Sequence, residues 1–327
     1  MNTTPTTEDR IWAVISHLST LAFGMGIVLP IIGWSDQRRK SNYASLQCLQ
    51  ALGYQSVGFT IWVLSYLVLI IAASIILLIT FRSDGGSTEN PNIFLVPEMI
   101  IFFMVVFGFF ALYLVLPIIA AIACALGKDF RYPILGDRLA RYLEYDSTLK
   151  SEDQMWLNED HEFRWVAAVG HFSILIFLWG MLAPLTAWVL YGKRSLFLKF
   201  QSIQTLVYQA MATILYFAGT FLYGVGLVAL IAAMGGIGQS EGSSSFGTIG
   251  IVIFGVLLAL GAVIILLIPL LHILGQWAGY RVLKGDDYRY PVLGRLVERW
   301  ITHKTPLAAL KDREALDGGL DLKGKSS

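Results

Sequence analysis

Arg10-Ile11-Trp12-Ala13-Val14-Ile15-Ser16-His17-Leu18-Ser19 returns as Arg164-Trp165-Val166-Ala167-Ala168-Val169-Gly170-His171-Phe172-Ser173. Without a gap, Pro30, Trp34, Ser41, Gln47, Gln50, Leu52, Tyr54 and Gln55 then recur as Pro184, Trp188, Ser195, Gln201, Gln204, Leu206, Tyr208 and Gln209. Phe130-Arg131-Tyr132-Pro133 closes the first copy and Tyr288-Arg289-Tyr290-Pro291 the second. The chain is therefore written twice. Apolar positions between these residues have drifted freely, so the polar, aromatic and Pro residues that persist form the candidate site.

Composition sets the solvent. Hydrophobic residues make up 56% of the chain and charged residues 14%, against roughly 45–50% and about 25% in soluble domains. Charge-free stretches run over 11–35, 41–81, 99–127, 165–192, 200–240 and 242–280. Each exceeds the roughly 20 residues that carry a helix across a ~30 Å hydrocarbon core. None alternates with the period of a barrel strand, so the spans are helices. The predicted fold is an all-α polytopic membrane protein of two tandem repeats, with about three transmembrane segments each. Its parts are a first membrane repeat over 1–138, an amphipathic polar linker over 139–163, a second repeat over 164–295 and a charged cytoplasmic tail over 296–327. The linker and the tail alternate charged and apolar residues, as amphipathic surface helices do.

Within each copy the first apolar block covers 11–34 or 165–191, with a kink expected at Pro30 or Pro184. The second covers 43–81 or 197–234, about twice the membrane thickness as a helix, so its Gln-rich beginning is expected at the interface or packed on neighbouring helices. The third covers 99–126 or 248–282. Pro117 and Pro269 each free a carbonyl there that needs another partner. Two topologies compete. If block one crosses fully, which its length favours, the copies are inverted and the basic loops after Trp34 and Trp188 fall on opposite sides. If block one enters and returns around Gly24-Met25-Gly26, or the Gln-rich segment dips into the membrane, the copies are parallel and all basic clusters are cytoplasmic. The loops 82–97 and 235–247, rich in Gly, Ser, Asn and Pro, read as extracytoplasmic. The N-terminus lacks the basic segment and small-residue cleavage site of a signal peptide.

At helical spacing, Arg10, Ala13 and His17 share one face, and Gln47, Gln50 and Tyr54 share another with Gln55 at its edge. His17 is thus expected to face Gln47, Gln50, Tyr54 and Gln55, and His171 to face Gln201, Gln204, Tyr208 and Gln209. In a bilayer such groups either fasten helices to each other or line a wet path. Arg10 and Arg164, Trp34 and Trp188, and the Arg131-Tyr132 and Arg289-Tyr290 pairs are read as interfacial anchors. Cys48 and Cys124 lie in apolar sequence without metal-ligand spacing and read as packing residues. Gly238-Gln239-Ser240-Glu241-Gly242 spells a nucleophile elbow but lacks the flanking strand and helix. No catalytic residue, metal site or cofactor is expected, and no nucleic-acid role.

The order Arg-x2-Ala-x3-His-x-Ser, Pro-x3-Trp, Gln-x2-Gln-x3-Tyr-Gln and a terminal Arg-Tyr-Pro resembles a prokaryotic membrane domain of unknown function, Tic-twenty-like and related to the chloroplast inner-envelope import component. The resemblance covers Arg10–Gly136 and Arg164–Gly294. Where that group commonly has a His before Gln-Ala-Leu, this chain has Gln47 and Gln201. The resemblance implies an integral membrane protein and, for its plastid relatives, a role in protein translocation. Together with the lack of catalytic motifs, the expectation is a non-catalytic membrane interaction or translocation-associated protein, multi-pass in a prokaryotic cytoplasmic membrane. Its expected partners are the lipid bilayer and either another membrane protein or further copies of itself. Fused repeats with Pro-broken helices are also a plan for a small secondary transporter or channel. A basic amphipathic tail would suit a lipid-sensing scaffold.

Overall fold

The computed structural model describes residues 5–83, 92–145, 156–237 and 244–304. Within them the chain is helical, and six segments are long and apolar enough to cross a membrane, three from each copy. Helix α1 (Thr7–Leu18) starts in a capping box, in which Thr6 accepts from the Asp9 amide and Asp9 accepts from the Thr6 amide. The chain then tightens into a 3-10 segment, Ser19–Ile27, before α2 (Val28–Gln37). Its counterparts are α7 (Glu159–Phe172), Ser173–Met181 and α8 (Leu182–Tyr191).

These first segments are hairpins. Gln37 Nε2 donates to Glu8 Oε1 at 2.9 Å, although a straight helix at ~1.5 Å per residue would hold the two about 40 Å apart. A Cβ on Gly33 would lie 2.9 Å from the Trp12 ring, and one on Gly170 would lie 3.6 Å from Pro184. The turn falls at Phe23 (φ 51°, ψ −146°) and at its equivalent Phe177 (φ 56°, ψ −132°). Pro30 and Pro184 do not make it, because each sits in the first turn of α2 or α8, where the missing N–H has no helical partner to lose. Full crossing by block one is thus replaced by the enter-and-return alternative. Arms of 12 and 10 residues, about 18 and 15 Å long, stop short of the far side of the core.

The second block runs α3 (Asn42–Gly53), a π-helical turn at Tyr54–Gly58 and α4 (Phe59–Ser83) in copy one, and α9 (Leu196–Ile237) unbroken in copy two. Ser41 and Ser195 cap these helices through the amides of Ala44 and Leu198. As expected, the Gln-rich beginning is packed inside the protein: every residue from Ala44 to Gly53 is buried. Helices α5 (Asn92–Ala125) and α10 (Ser244–Leu283) return. The short amphipathic helices α6 (Leu135–Tyr142) and α11 (Leu293–Lys304) close each copy, and α6 buries Leu139 and Ala140 while Asp137, Arg138 and Arg141 face out. The loop centres 84–91 and 238–243, the latter with the Gly238–Gly242 motif, the linker centre 146–155 and the tail beyond 304 lie outside the described residues.

The charged segments gather on one side. Tyr43 Oη donates to Lys128 O, Arg38 bonds Glu159, Tyr191 Oη donates to Ser35 O, and Tyr142 Oη to Leu283 O. The copies therefore run parallel. An excess of Lys and Arg on one side is the general mark of a cytoplasmic face. One continuous core joins the copies, built from Trp34, Leu46, Leu49, Leu52, Trp165, Val169 and Tyr191 among others.

Candidate intramembrane polar site

Each hairpin presents its histidine to the Gln stripe, as the spacing implies. His17 Nε2 is 3.1 Å from Gln47 Oε1, and His17 Nδ1 is 3.0 Å from Tyr132 Oη. Gln47 Nε2 donates to Asp129 Oδ1 and to Phe130 O, at 2.9 and 3.0 Å. Its Oε1 is thereby turned to the imidazole as acceptor. Nε2 of His17 then carries the proton, and Nδ1 accepts from the Tyr132 hydroxyl. Copy two repeats the set: His171 Nε2 to Gln201 Oε1 at 3.1 Å, His171 Nδ1 to Tyr290 Oη at 2.9 Å, and Gln201 Nε2 to Asp287 and Tyr288 O. Thr205 adds a hydroxyl 3.0 Å from His171 Nδ1 where copy one has Ala51. The Tyr132 and Tyr290 phenols lie outside the spans, and burial pushes both well above the ordinary phenol range. They remain O–H donors.

The second glutamine grips backbone. Gln50 Nε2 donates to Phe130 O (3.1 Å) while Gln50 Oε1 accepts from the Tyr132 amide (3.3 Å). Gln204 treats Tyr288 O and the Tyr290 amide in the same way, at 2.8 and 3.3 Å. An extended loop with no strand beside it has its donor and acceptor met by one side-chain amide. Tyr54 and Tyr208 stack on Tyr132 and Tyr290 with ring centroids 4.2 and 3.9 Å apart. Tyr54 Oη also donates to Tyr113 O at 2.8 Å, the carbonyl that Pro117 leaves without its helical N–H.

The third glutamine closes the hairpin. Helix α1 ends inside the membrane, where open carbonyls are costly. Gln55 Nε2 donates to Ser16 O (3.3 Å) and Ser19 Oγ (2.8 Å), and Gln209 Nε2 to Gly170 O (2.8 Å) and Ser173 Oγ (3.2 Å). Gly26 and Gly180 make room for that close turn, since a Cβ on either would fall about 2 Å from the Ser19 or Ser173 carbonyl.

The expected anchors divide. Trp34 is fully buried, donating to Glu162 Oε1 at 2.9 Å, and Tyr132 and Tyr290 are buried under the histidines. These three are internal struts rather than headgroup anchors, because each polar atom finds a protein partner. Trp188 is half-buried, and the arginines stay near the surface. Arg10 donates to Ala125 O and Thr7 Oγ1, Arg164 to Asp160, Arg131 to Asp129, and Arg289 to Asp287 and Glu298. Asp129 and Asp287 escaped the motif reading, although extending Phe130-Arg131-Tyr132-Pro133 by one residue toward the N-terminus reveals them. Phe23 and Phe177, Gly26 and Gly180, and Glu8 and Glu162 also recur at the main spacing.

Between the copies, Arg38 reaches Glu162 (3.1 Å) and Glu159 (2.9 Å) with its guanidinium over the Phe163 ring. Burial opposes that charge, yet Glu162, Tyr191 and Glu159 together hold the Arg38 pKa above its ordinary value. The hairpin tips meet at Gly24, Ile176 and Trp179. The cavity there, lined by Gln55, Phe59 and Tyr113 among others, measures about 10 Å³, at most one water. A larger groove of about 580 Å³, lined by Leu64, His272, Gln276 and Trp277, opens outward from the protein. Among the described residues, no group of three or more His, Cys, Asp or Glu is placed to hold a metal ion.

Residues 8–139 and again 162–297 match the magnetosome magnetite crystal formation protein family. Two matches cover most of the chain, and the chain belongs to that family as a tandem duplicate. No curated protein and no solved structure matches it.

Proposed function

From that membership we propose that the chain is a non-catalytic, multi-pass component of the magnetosome membrane, a rigid scaffold beside growing magnetite that does not itself carry iron across. The observation that supports this reading most is the closed contact at the hairpin tips, with room for about one water. A transporter needs a solvated midplane cavity reached by polar side chains. Here His17 and His171 are held by Gln47, Gln201, Tyr132 and Tyr290, and the amide nitrogens of the three glutamines in each copy bond the protein's own carbonyls, carboxylates and hydroxyls. The translocation role implied by the Tic-twenty-like motif order gains nothing from a family defined by mineral formation, and that relation rests on the motif order alone.

Two measurements test the proposal. Purified protein in vesicles holding a lumenal iron-sensitive dye is expected to pass ferrous iron no faster than protein-free vesicles. Removing the gene from a magnetite-forming host is expected to change crystal size or shape under the electron microscope. Protein-dependent flux that Gln50→Ala and Gln204→Ala abolish would replace the scaffold with a transporter.

A further inference from the structure

The outward groove of about 580 Å³ lies on the seam between the copies. Thr60 and Leu64 come from α4 of copy one, and Leu175, His272, Gln276, Trp277 and Tyr280 from copy two. Donors on its walls turn to the protein's own carbonyls: Thr60 Oγ1 to Ser56 O at 2.9 Å, His272 Nδ1 to Ile268 O at 2.7 Å, and Gln276 Nε2 to Phe172 O at 3.0 Å. The surface left to an occupant is mostly aliphatic and aromatic carbon. An alkyl chain suits such a slot, whereas a polar solute would find few partners there.

Cations cap its charged end. Arg281 Cζ stands 5.9 Å from the Trp277 ring centroid, and Lys284 Nζ 5.5 Å from that of Tyr280. Helix α6 reaches across this end: a Cβ on Gly53 would lie 3.4 Å from Leu135, and Tyr142 Oη donates to Leu283 O at 3.4 Å. Arg138 shares the flank of α6 that carries Leu135 and Tyr142, three and four residues away. Asp286 pairs with Arg281. Among the described residues, Arg138 and Lys284 are exposed and in no ion pair, so the mouth is net positive. Copy one supplies an internal comparison. At the spacing that pairs Tyr132 with Tyr290, it has Ile119, Ile122, Ala123 and Leu126 in place of Trp277, Tyr280, Arg281 and Lys284. Ile119, Ile122 and Leu126 are 48, 57 and 67% exposed, so aliphatic side chains suffice where this helix merely faces lipid.

We propose that the groove binds one anionic phospholipid from the leaflet on the charged side, an acyl chain lying between α4 and α10 and the phosphate held by Lys284, Arg138 and Arg281. Charge selects the occupant, because a zwitterionic headgroup would bring its own ammonium to two unpaired cations, and basic pockets between transmembrane helices take anionic headgroups for that reason. The walls belong to different copies, so the lipid bridges them within the membrane.

Native mass spectrometry of the full-length chain, titrated in detergent with phosphatidylglycerol or phosphatidylcholine of the same acyl chains, tests this. The parent is expected to retain one phosphatidylglycerol under conditions that strip phosphatidylcholine. Arg138→Ala/Lys284→Ala is expected to lower the apparent affinity for phosphatidylglycerol roughly thirtyfold. Lys193→Ala, which removes an exposed cation outside the groove, is expected to leave it unchanged. Leu64→Trp fills the slot from a position that is 54% exposed and is expected to abolish retention. All four positions are exposed, so folding is not at stake. Equal retention of the two lipids by the parent would remove the charge selection, and a loss in Lys193→Ala as large as in the double variant would show a diffuse surface charge. Full retention by Leu64→Trp would seat the lipid elsewhere. Any of these results overturns the proposal.

Discussion

The amide of Gln50 does for the Phe130–Tyr132 loop what a neighbouring strand would do, meeting one carbonyl and one N–H at once. Leucine at this position leaves both groups unmet in a buried setting, at about 1–3 kcal/mol each. Gln50→Leu is therefore expected to lower the unfolding midpoint in detergent clearly, and Gln204→Leu to match it, while the exposed Val189→Leu changes nothing. An isolated interhelical hydrogen bond in a membrane contributes only about 0.6 kcal/mol, so a loss no larger than that would argue against the two-point grip. The pairing of His17 and His171 with their glutamines was legible because duplication kept both partners at fixed spacing. The burial of Trp34, Tyr132 and Tyr290 was not, since an aromatic beside charged residues at a helix end has the same local sequence whether it faces headgroups or a neighbouring copy.

At the scale of elements, the hairpin decides the architecture, and it is hidden from composition. Thr7–Gln37 has the length and hydropathy of an ordinary span. Its break falls on a phenylalanine at positive φ, a conformation that costs a non-glycine residue about 1–3 kcal/mol. The Phe23 ring stacks on Phe110 with centroids 5.8 Å apart, and the Phe177 ring packs edge-on to Tyr216, contacts that offset the strain. Gly26→Ala forces a Cβ to 1.8 Å from the Ser19 carbonyl. It is expected to destabilise the protein by about 3 kcal/mol, the upper range for overpacking, in a chemical unfolding series, with Gly180→Ala behaving alike. Near-neutral substitutions at both glycines would count against the close turn. Phe23→Gly removes the strain and the ring contact together and is expected to fall within about 1 kcal/mol of the parent.

For the molecule as a whole, the junction between copies rests on a buried pair that only one copy can supply, since Arg38 has Gly192 as its equivalent. Removing Arg38 leaves Glu162 buried without its cation, which typically costs about 3–5 kcal/mol. Arg38→Ala is expected to separate the unfolding of the two copies into distinguishable transitions. Arg38→Ala/Glu162→Gln should recover most of the loss; if the double variant is no better than the single, the pair does not hold the copies together. The parallel arrangement is the central structural claim, and it follows from both hairpins returning to the side they entered. Single cysteines at Arg39, Lys193, Ser83 and Ser244, probed with a membrane-impermeant maleimide on sealed vesicles of known orientation, test it most directly. Labelling of positions 39 and 193 from the cytoplasmic side and of 83 and 244 from the opposite side is expected; labelling of 39 and 193 from opposite sides would contradict it.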